Sequence, residues 1–279
     1  MHGKEFLKTQ DGLTLLEQWW LPESGTKAAI IIVHGYAEHS SRYTQVAGAL
    51  TQNGYAVYSF DLRGHGRSEG ERVFKGIFDK HFLDIEDVLA DVRKKEGDRK
   101  IFLLGHSLGG TIAALFAINK RPDVAGLILS APYLKFPANV WPLRFKFVRF
   151  ISSILPGFPV TEKVNGRFIS DDPQLIDNYE ADHLIYHRPI QAQEALEIMR
   201  AVQTLQARMK ELTLPFFILQ GTLDKLVNLD GSRELYSQAA SQDKTLKIYP
   251  GLYHELLNDP RNDMLIADLV KWLDTHIIL

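Results

Sequence analysis

The sequence contains no cysteine. That absence excludes disulfides, thiolate metal sites and a cysteine nucleophile together, and it leaves the redox compartment open. An excess of charge of one sign is also missing. Basic residues number 32 and acidic residues 34, a net charge of -2, whereas a nucleic-acid binder needs a clear basic excess to neutralise phosphate. The longest apolar runs, such as Ala28–Val33, fall far short of the ~20 residues that span a membrane. The opening stretch MHGKEFLKTQDG has no apolar core of the secretory kind, so a cytoplasmic location is expected. Repeats, low-complexity tracts and long Gly/Ser linkers are lacking too. What is present is an ordinary globular composition, 45% hydrophobic and 24% charged over 279 residues, enough for one large α/β domain.

Strand-like and helix-like segments alternate along the first half, the signature of a mostly parallel sheet covered by helices. Ala28–Val33 is an unbroken apolar, β-branched run and predicts a buried strand. Further strands are predicted at Tyr55–Phe60, 101–104, 125–129, 216–219 and 245–249, with an antiparallel lead-in over 13–20. Between them, Leu83, Ile85, Val88, Leu89 and Val92 recur at helical spacing, and 112–118 and 264–273 predict two more helices. From Pro132 to about Thr213 the βαβ rhythm stops, a length too great for a plain loop. The expected fold is therefore α/β, a mostly parallel sheet flanked by helices, with core segments at 1–131 and 214–279 and an inserted cap at 132–213 over the strand ends.

The stretch IFLLGHSLGGTIAALFAINK runs a buried strand into Gly105-His106-Ser107-Leu108-Gly109 and straight on into a helix. This is the strand–turn–helix context of a G-x-S-x-G nucleophile elbow, as in α/β-hydrolases. The turn is sharp enough that Gly105 and Gly109 are expected to face neighbouring backbone with no room for a Cβ. A serine hydroxyl needs a base to take its proton, and the base needs an acid to orient it. In this context the partners follow in the order Ser, Asp or Glu, His. Asp224 lies just past the predicted strand 216–219, and His254 lies on the loop after 245–249. Ser107, Asp224 and His254 are thus the predicted catalytic residues. Asp230, His183 and His187 are rivals, but neither histidine follows a core strand. A base of this kind predicts activity rising with pH through one ionisation between about 6 and 7.5.

Acyl transfer also needs donors for an oxyanion. The backbone N–H of Leu108, next to the nucleophile, is one candidate. Tyr36 N–H, on the loop His34-Gly35-Tyr36 after the first core strand, is the other.

HGYAEHSSRY at 34–43, FDLRGHGRSEG at 60–70, GHSLGG at 105–110, LQGTLDKLV at 219–227 and YPGLYHELLND at 249–259 resemble the monoacylglycerol lipase and lysophospholipase branch of the α/β-hydrolases. FISDDPQLIDNYEADHLIYH at 168–187 is similar to that branch's cap segment. The resemblance covers most of the chain from about Lys4 onward and thins between Lys135 and Arg167. It implies hydrolysis of esters of single-chain lipids and requires no cofactor. Lysophospholipase, general carboxylesterase, an aminopeptidase-like amidase and a non-catalytic binder remain alternatives.

Asp61, Arg63, His65, Gly66 and Ser68 imitate a ligand cluster, but their place after a strand suits a turn locked by side-chain hydrogen bonds. Glu38 and His39 lack a third ligand at metal-binding spacing, so no metal is expected, and they suit a role in pinning the oxyanion loop. In the cap, WPLRFKFVRFI over 141–151 crowds aromatics among three basic residues. Trp141, Phe145, Phe147 and Phe150 are expected to roof the acyl pocket or to touch a membrane surface transiently. The alternative is an ordinary cap helix with snorkelling cations.

Overall fold

The computed structural model describes residues 1–72, 76–136 and 141–278, without the side chains of 141–143 and 278. Its strands are β1 (His2–Lys8), β2 (Thr14–Trp20), β3 (Ala28–Val33), β4 (Tyr55–Phe60), β5 (Ile101–His106), β6 (Gly126–Ser130), β7 (Phe216–Gly221) and β8 (Lys244–Tyr249). They form one sheet in the order β1-β2-β4-β3-β5-β6-β7-β8. β3 to β8 run parallel, while β2 joins β4 antiparallel and pairs with β1 as a hairpin. This is an α/β-hydrolase fold, as the alternating segments predicted. β1 is not legible in the sequence: HGKEFLK has two apolar residues and sits mostly exposed on the sheet edge, carried there by its full register with β2.

The helices are α1 (Thr44–Gln52), α2 (Ile77–Glu96), α3 (Leu108–Lys120), α4 (Trp141–Ile154), α5 (Gly166–Ile169), α6 (Pro173–Ala181), α7 (Ala192–Arg208), α8 (Leu229–Gln238) and α9 (Asp263–Ile278). Because side chains alternate across a strand, β3 feeds two cores at once. Ala29, Ile31 and Val33 pack with α2 and α3 on one face. Ala28, Ile30 and Ile32 pack with α1 and α9 on the other. Burial on both faces explains the unbroken apolar runs of the central strands. Helices α4 to α7 all fall between β6 and β7, in the stretch where the rhythm breaks. Among them Ile198 and Leu205 of α7 reach down into the core beside α3.

The turn after β4 is the polar lock that its residues suggested. Asp61 accepts hydrogen bonds from the N–H of Ser40 (2.7 Å) and of Arg67 (2.8 Å), and Ser68 Oγ donates to the Asp61 carbonyl at 2.6 Å. Arg63 pairs with the fully buried Asp84 and with Asp11.

Gly109 shows what the turn into α3 demands. A Cβ there would lie 2.1 Å from the Val33 carbonyl oxygen and 2.4 Å from that of His34. Alanine would favour the helix by only about 1 kcal/mol, far less than a backbone clash costs. Gly109→Ala should therefore lower stability by about 2 kcal/mol or more in urea titrations. An unchanged midpoint would show that β3 and α3 can separate freely.

Candidate active site

Ser107 joins β5 to α3 with φ 52° and ψ -119°, a conformation that non-glycine residues rarely adopt. Its own backbone bonds hold it there. Ser107 N–H donates to the Ser130 carbonyl at 2.9 Å, and the Ser107 carbonyl accepts from Gly110 and Tyr133 at 3.0 Å. Gly105 is needed as expected, since a Cβ there would meet the Gly109 carbonyl oxygen at 2.5 Å.

Asp224 follows β7 and His254 follows β8, and the parallel register carries both loops off the same end of the sheet as Ser107. His254 Nδ1–H donates to Asp224 Oδ2 at 2.8 Å, leaving Nε2 as the basic nitrogen of the neutral ring. Asp224 also accepts from the N–H groups of Leu226 (2.9 Å) and Val227 (3.0 Å) and from Gln220 Nε2 (3.0 Å). Burial pushes the Asp224 carboxyl up, but His254 and these N–H groups outweigh it and hold it below the usual carboxylate range. Burial likewise pulls the His254 ring down. The Asp224 charge, with Glu255 and Glu38 behind it, outweighs this and raises the ring above the ordinary histidine value. The rivals stand apart: Asp230 lies in the first turn of α8, donating its N–H to the Asn228 cap and pairing with Arg233, His183 is exposed, and His187 Nε2–H donates to the Asp182 carbonyl within its own cap loop.

The loop after β3 lies against the serine. A Cβ on Gly35 would come within 3.1 Å of Ser107 Cβ. Glu38 pins this loop as expected: its Oε1 accepts from Gly35 N–H at 2.5 Å and from Tyr43 Oη at 2.7 Å. Among the described residues, the N–H groups of Tyr36 and Leu108 have no protein acceptor. His39 Nε2 meets Asp182 of the cap at 2.8 Å. One group of acids among the described residues is close enough to hold a cation, Glu5 of β1, Glu17 of β2 and Asp91 of α2. The Lys95 ammonium already sits against all three at 2.6 to 2.9 Å.

A cavity of about 360 Å³ opens at Ser107, Tyr36 and Leu108. Its walls are mostly apolar, with Tyr133 after β6, Val148 of α4, and Ile198 and Met199 of α7 among them. The aromatic roof anticipated from the sequence is not how the cavity is built. Phe147 and Phe150 point outward, 53% and 61% exposed, and Phe145 packs against the cap's own Val148, Ala195, Leu196 and Met199. The side chain of Trp141 lies outside the described residues. The reason is helical phase: Arg144 and Val148, four apart, face the cavity, whereas Phe150 falls on the far side of α4 and Phe147 on the flank between, both turned to solvent. Arg144, Tyr133 and Met199 were not anticipated. Only the i, i+4 pairing within 141–151 hinted at the first.

Fold and site together define the class, an α/β-hydrolase with serine at its nucleophile elbow. A family described as serine aminopeptidase, S33, matches residues 24–261. The monoacylglycerol lipase of Mycolicibacterium smegmatis is 32% identical over 273 residues, 95% of each chain. Monoglyceride lipase of Homo sapiens is 34% identical over 251 residues, 90% of this chain and 82% of its own. The crystal structure of the Paleococcus ferrophilus monoacylglycerol lipase matches with a TM-score of 0.82 at 25% identity, over 94% of this chain and 99% of that one. The chain belongs to this family, in its monoacylglycerol lipase branch, and is a serine ester hydrolase.

A base must be neutral to take a proton; with His254 in that role and its ring held above the ordinary histidine value, kcat/KM should rise with pH through one ionisation above that ordinary value. Ser107→Ala and His254→Ala should each lower kcat by about four to six orders of magnitude, and Asp224→Asn somewhat less. Retention of a tenth of wild-type turnover by Ser107→Ala in a stopped assay would remove Ser107 from the mechanism.

Proposed function

We propose that the protein hydrolyses single-chain acyl esters, monoacylglycerols foremost, through an acyl-enzyme on Ser107. Ser107 Oγ attacks the ester carbonyl while His254 Nε2 takes the hydroxyl proton, and Asp224 steadies the resulting imidazolium. The carbonyl oxygen, now an oxyanion, accepts from the Tyr36 and Leu108 N–H groups. His254 returns its proton to the departing alcohol. Water then attacks the acyl-enzyme by the same steps in reverse order and releases the fatty acid.

The observation that carries this reading is the apolar cavity meeting Ser107. It suits one acyl chain, and no carboxylate stands among its described lining residues to hold the amino terminus of a peptide. That favours esters over the aminopeptidase activity in the family's description. Arg144 on the cavity wall gives a specific reason for a second substrate, since a guanidinium suits the phosphate of a lysophospholipid.

The outward face of the cap supports transient contact with a lipid surface. Phe147, Phe150, Ile154, Leu155 and Phe158 are all about half exposed or more, beside the exposed Lys146 and Arg149. Among the described residues no helix is long and apolar enough to cross a membrane, so such contact would be peripheral.

Each methylene desolvated by the cavity contributes about 0.8 kcal/mol, so four more carbons should raise kcat/KM by about two orders of magnitude. Monoacylglycerols should outrun triacylglycerols, with lysophospholipids between them, and Val148→Trp should flatten the chain-length profile while sparing acetyl esters. A preference for acetyl esters in that substrate panel would leave only a general carboxylesterase. Separately, the Phe147→Ser/Phe150→Ser pair should release the protein from sedimenting anionic vesicles without changing turnover of a water-soluble ester. Unaltered sedimentation would rule out this face as the contact.

A further inference from the structure

Around His254 lies a second set of buried charged groups that the acyl transfer just described does not use. Glu255 follows His254 directly, and Arg42 stands on the short 3-10 helix after the oxyanion loop, Ser40–Tyr43. Arg42 Nε donates to Glu38 Oε2 at 2.9 Å, and its Nη2 lies 3.2 Å from Glu255 Oε2. All three side chains are 10% exposed or less. Glu255 Oε2 also accepts from Asn258 Nδ2 at 2.6 Å, while Oε1 lies 3.8 Å from His106 Nε2. The His106 ring in turn rests on the His254 ring at 4.8 Å. One guanidinium therefore ties two loops that flank Ser107, the loop gripped by Glu38 at Gly35 and the loop that carries His254. Tyr179 of the cap covers it, its ring 5.2 Å away.

Burying three charges is costly, and well-packed apolar residues would serve stability as well or better. A functional reason is found in the charge count. Glu38 and Glu255 against one Arg42 leave an excess negative charge beside the base. Burial would push the Glu38 carboxyl up, but the Arg42 guanidinium and the Tyr43 hydroxyl bonded to it outweigh that and hold it below the usual carboxylate range. Burial also keeps His106 below the ordinary histidine value, which suits a neutral ring between Glu255 and His254. The groups that face His254 from its surroundings are then Asp224 after β7, His106 at the end of β5, Glu38 after β3 and Glu255 beside it.

We propose that Glu255 is a positioning residue for His254: tied by Arg42 to the oxyanion loop, its carboxylate supplies negative charge that steadies the imidazolium formed in the transition state. The proposal rests on His254 as the base of acyl transfer. It adds a second source of that stabilisation beyond Asp224.

The test is the pH profile of kcat and kcat/KM on p-nitrophenyl butyrate, with active sites counted by fluorophosphonate titration and folding checked by thermal melts. Glu255→Gln keeps the shape and removes the charge, so the imidazolium gives up its proton at lower pH. The acidic limb should move to lower pH, raising activity on the limb, relative to the plateau, by about threefold or more. Plateau kcat should fall about tenfold with KM little changed, because the charge acts on the transition state. Glu255→Asp should leave the limb in place. Arg42→Gln, which removes the compensating cation, should move the limb the opposite way and keeps the proposal testable should Glu255→Gln fail to fold. A limb that stays put in whichever of the two charge-removing variants folds, whatever the loss in melting temperature, overturns the positioning role. Absence of any acidic limb in the wild-type protein would instead overturn His254 as base.

Discussion

The strained backbone at Ser107 is the constraint on which the rest depends. A non-glycine residue at φ 52° persists only where its surroundings over-determine it. Here the determination is layered. β6 receives the Ser107 N–H through the Ser130 carbonyl, Tyr133 and Gly110 hold the Ser107 carbonyl, and β3 crowds the first turn of α3. Those strands are buried on both faces and close-packed, so the strain cannot relax by local movement. The serine is thereby presented at a fixed point against which the loops of three other strands are arranged.

Those loops are held by buried carboxylates, each filled with donors. Asp61 fastens the β4 turn to the start of the 3-10 helix, Glu38 holds Gly35 and Tyr43, and Asp224 holds its own loop while orienting His254. A buried carboxylate is tolerated only when its oxygens are satisfied, so each acts as a rigid joint with defined geometry. The same rule explains why Asp61 and Glu38 imitate ligand residues in the sequence. The chemistry that makes an acid useful in a site also makes it useful as a pin.

The cap obeys a different rule. α4 carries apolar residues around much of its circumference, and two neighbours compete for them, the cavity and the outside. Val148 and Arg144 go to the cavity, Phe145 to the cap's own small core, and Phe147 and Phe150 to the surface. The cap is joined to the loop after β3 by His39 with Asp182 and by the Tyr186 N–H donating to the Ala37 carbonyl at 2.9 Å. The positions of the cap and of that loop are thus coupled directly.

Everything that depends on local pattern was determined by the sequence alone. Unbroken β-branched runs meant doubly covered strands, the glycines around Ser107 meant a turn without room for a Cβ, and chain order placed Asp224 and His254 on loops after core strands. The position of Phe147 and Phe150, the existence of β1 and the partnership of Arg42 with Glu38 and Glu255 were decided only by tertiary structure. An amphipathic helix with apolar residues on several sides does not announce which side meets the protein, because that choice belongs to the surfaces packed against it. A polar edge strand forms because its partner offers a full ladder of backbone bonds. Glu255 lies 217 positions from Glu38 in the sequence, and nothing short of the folded sheet brings the two to one guanidinium.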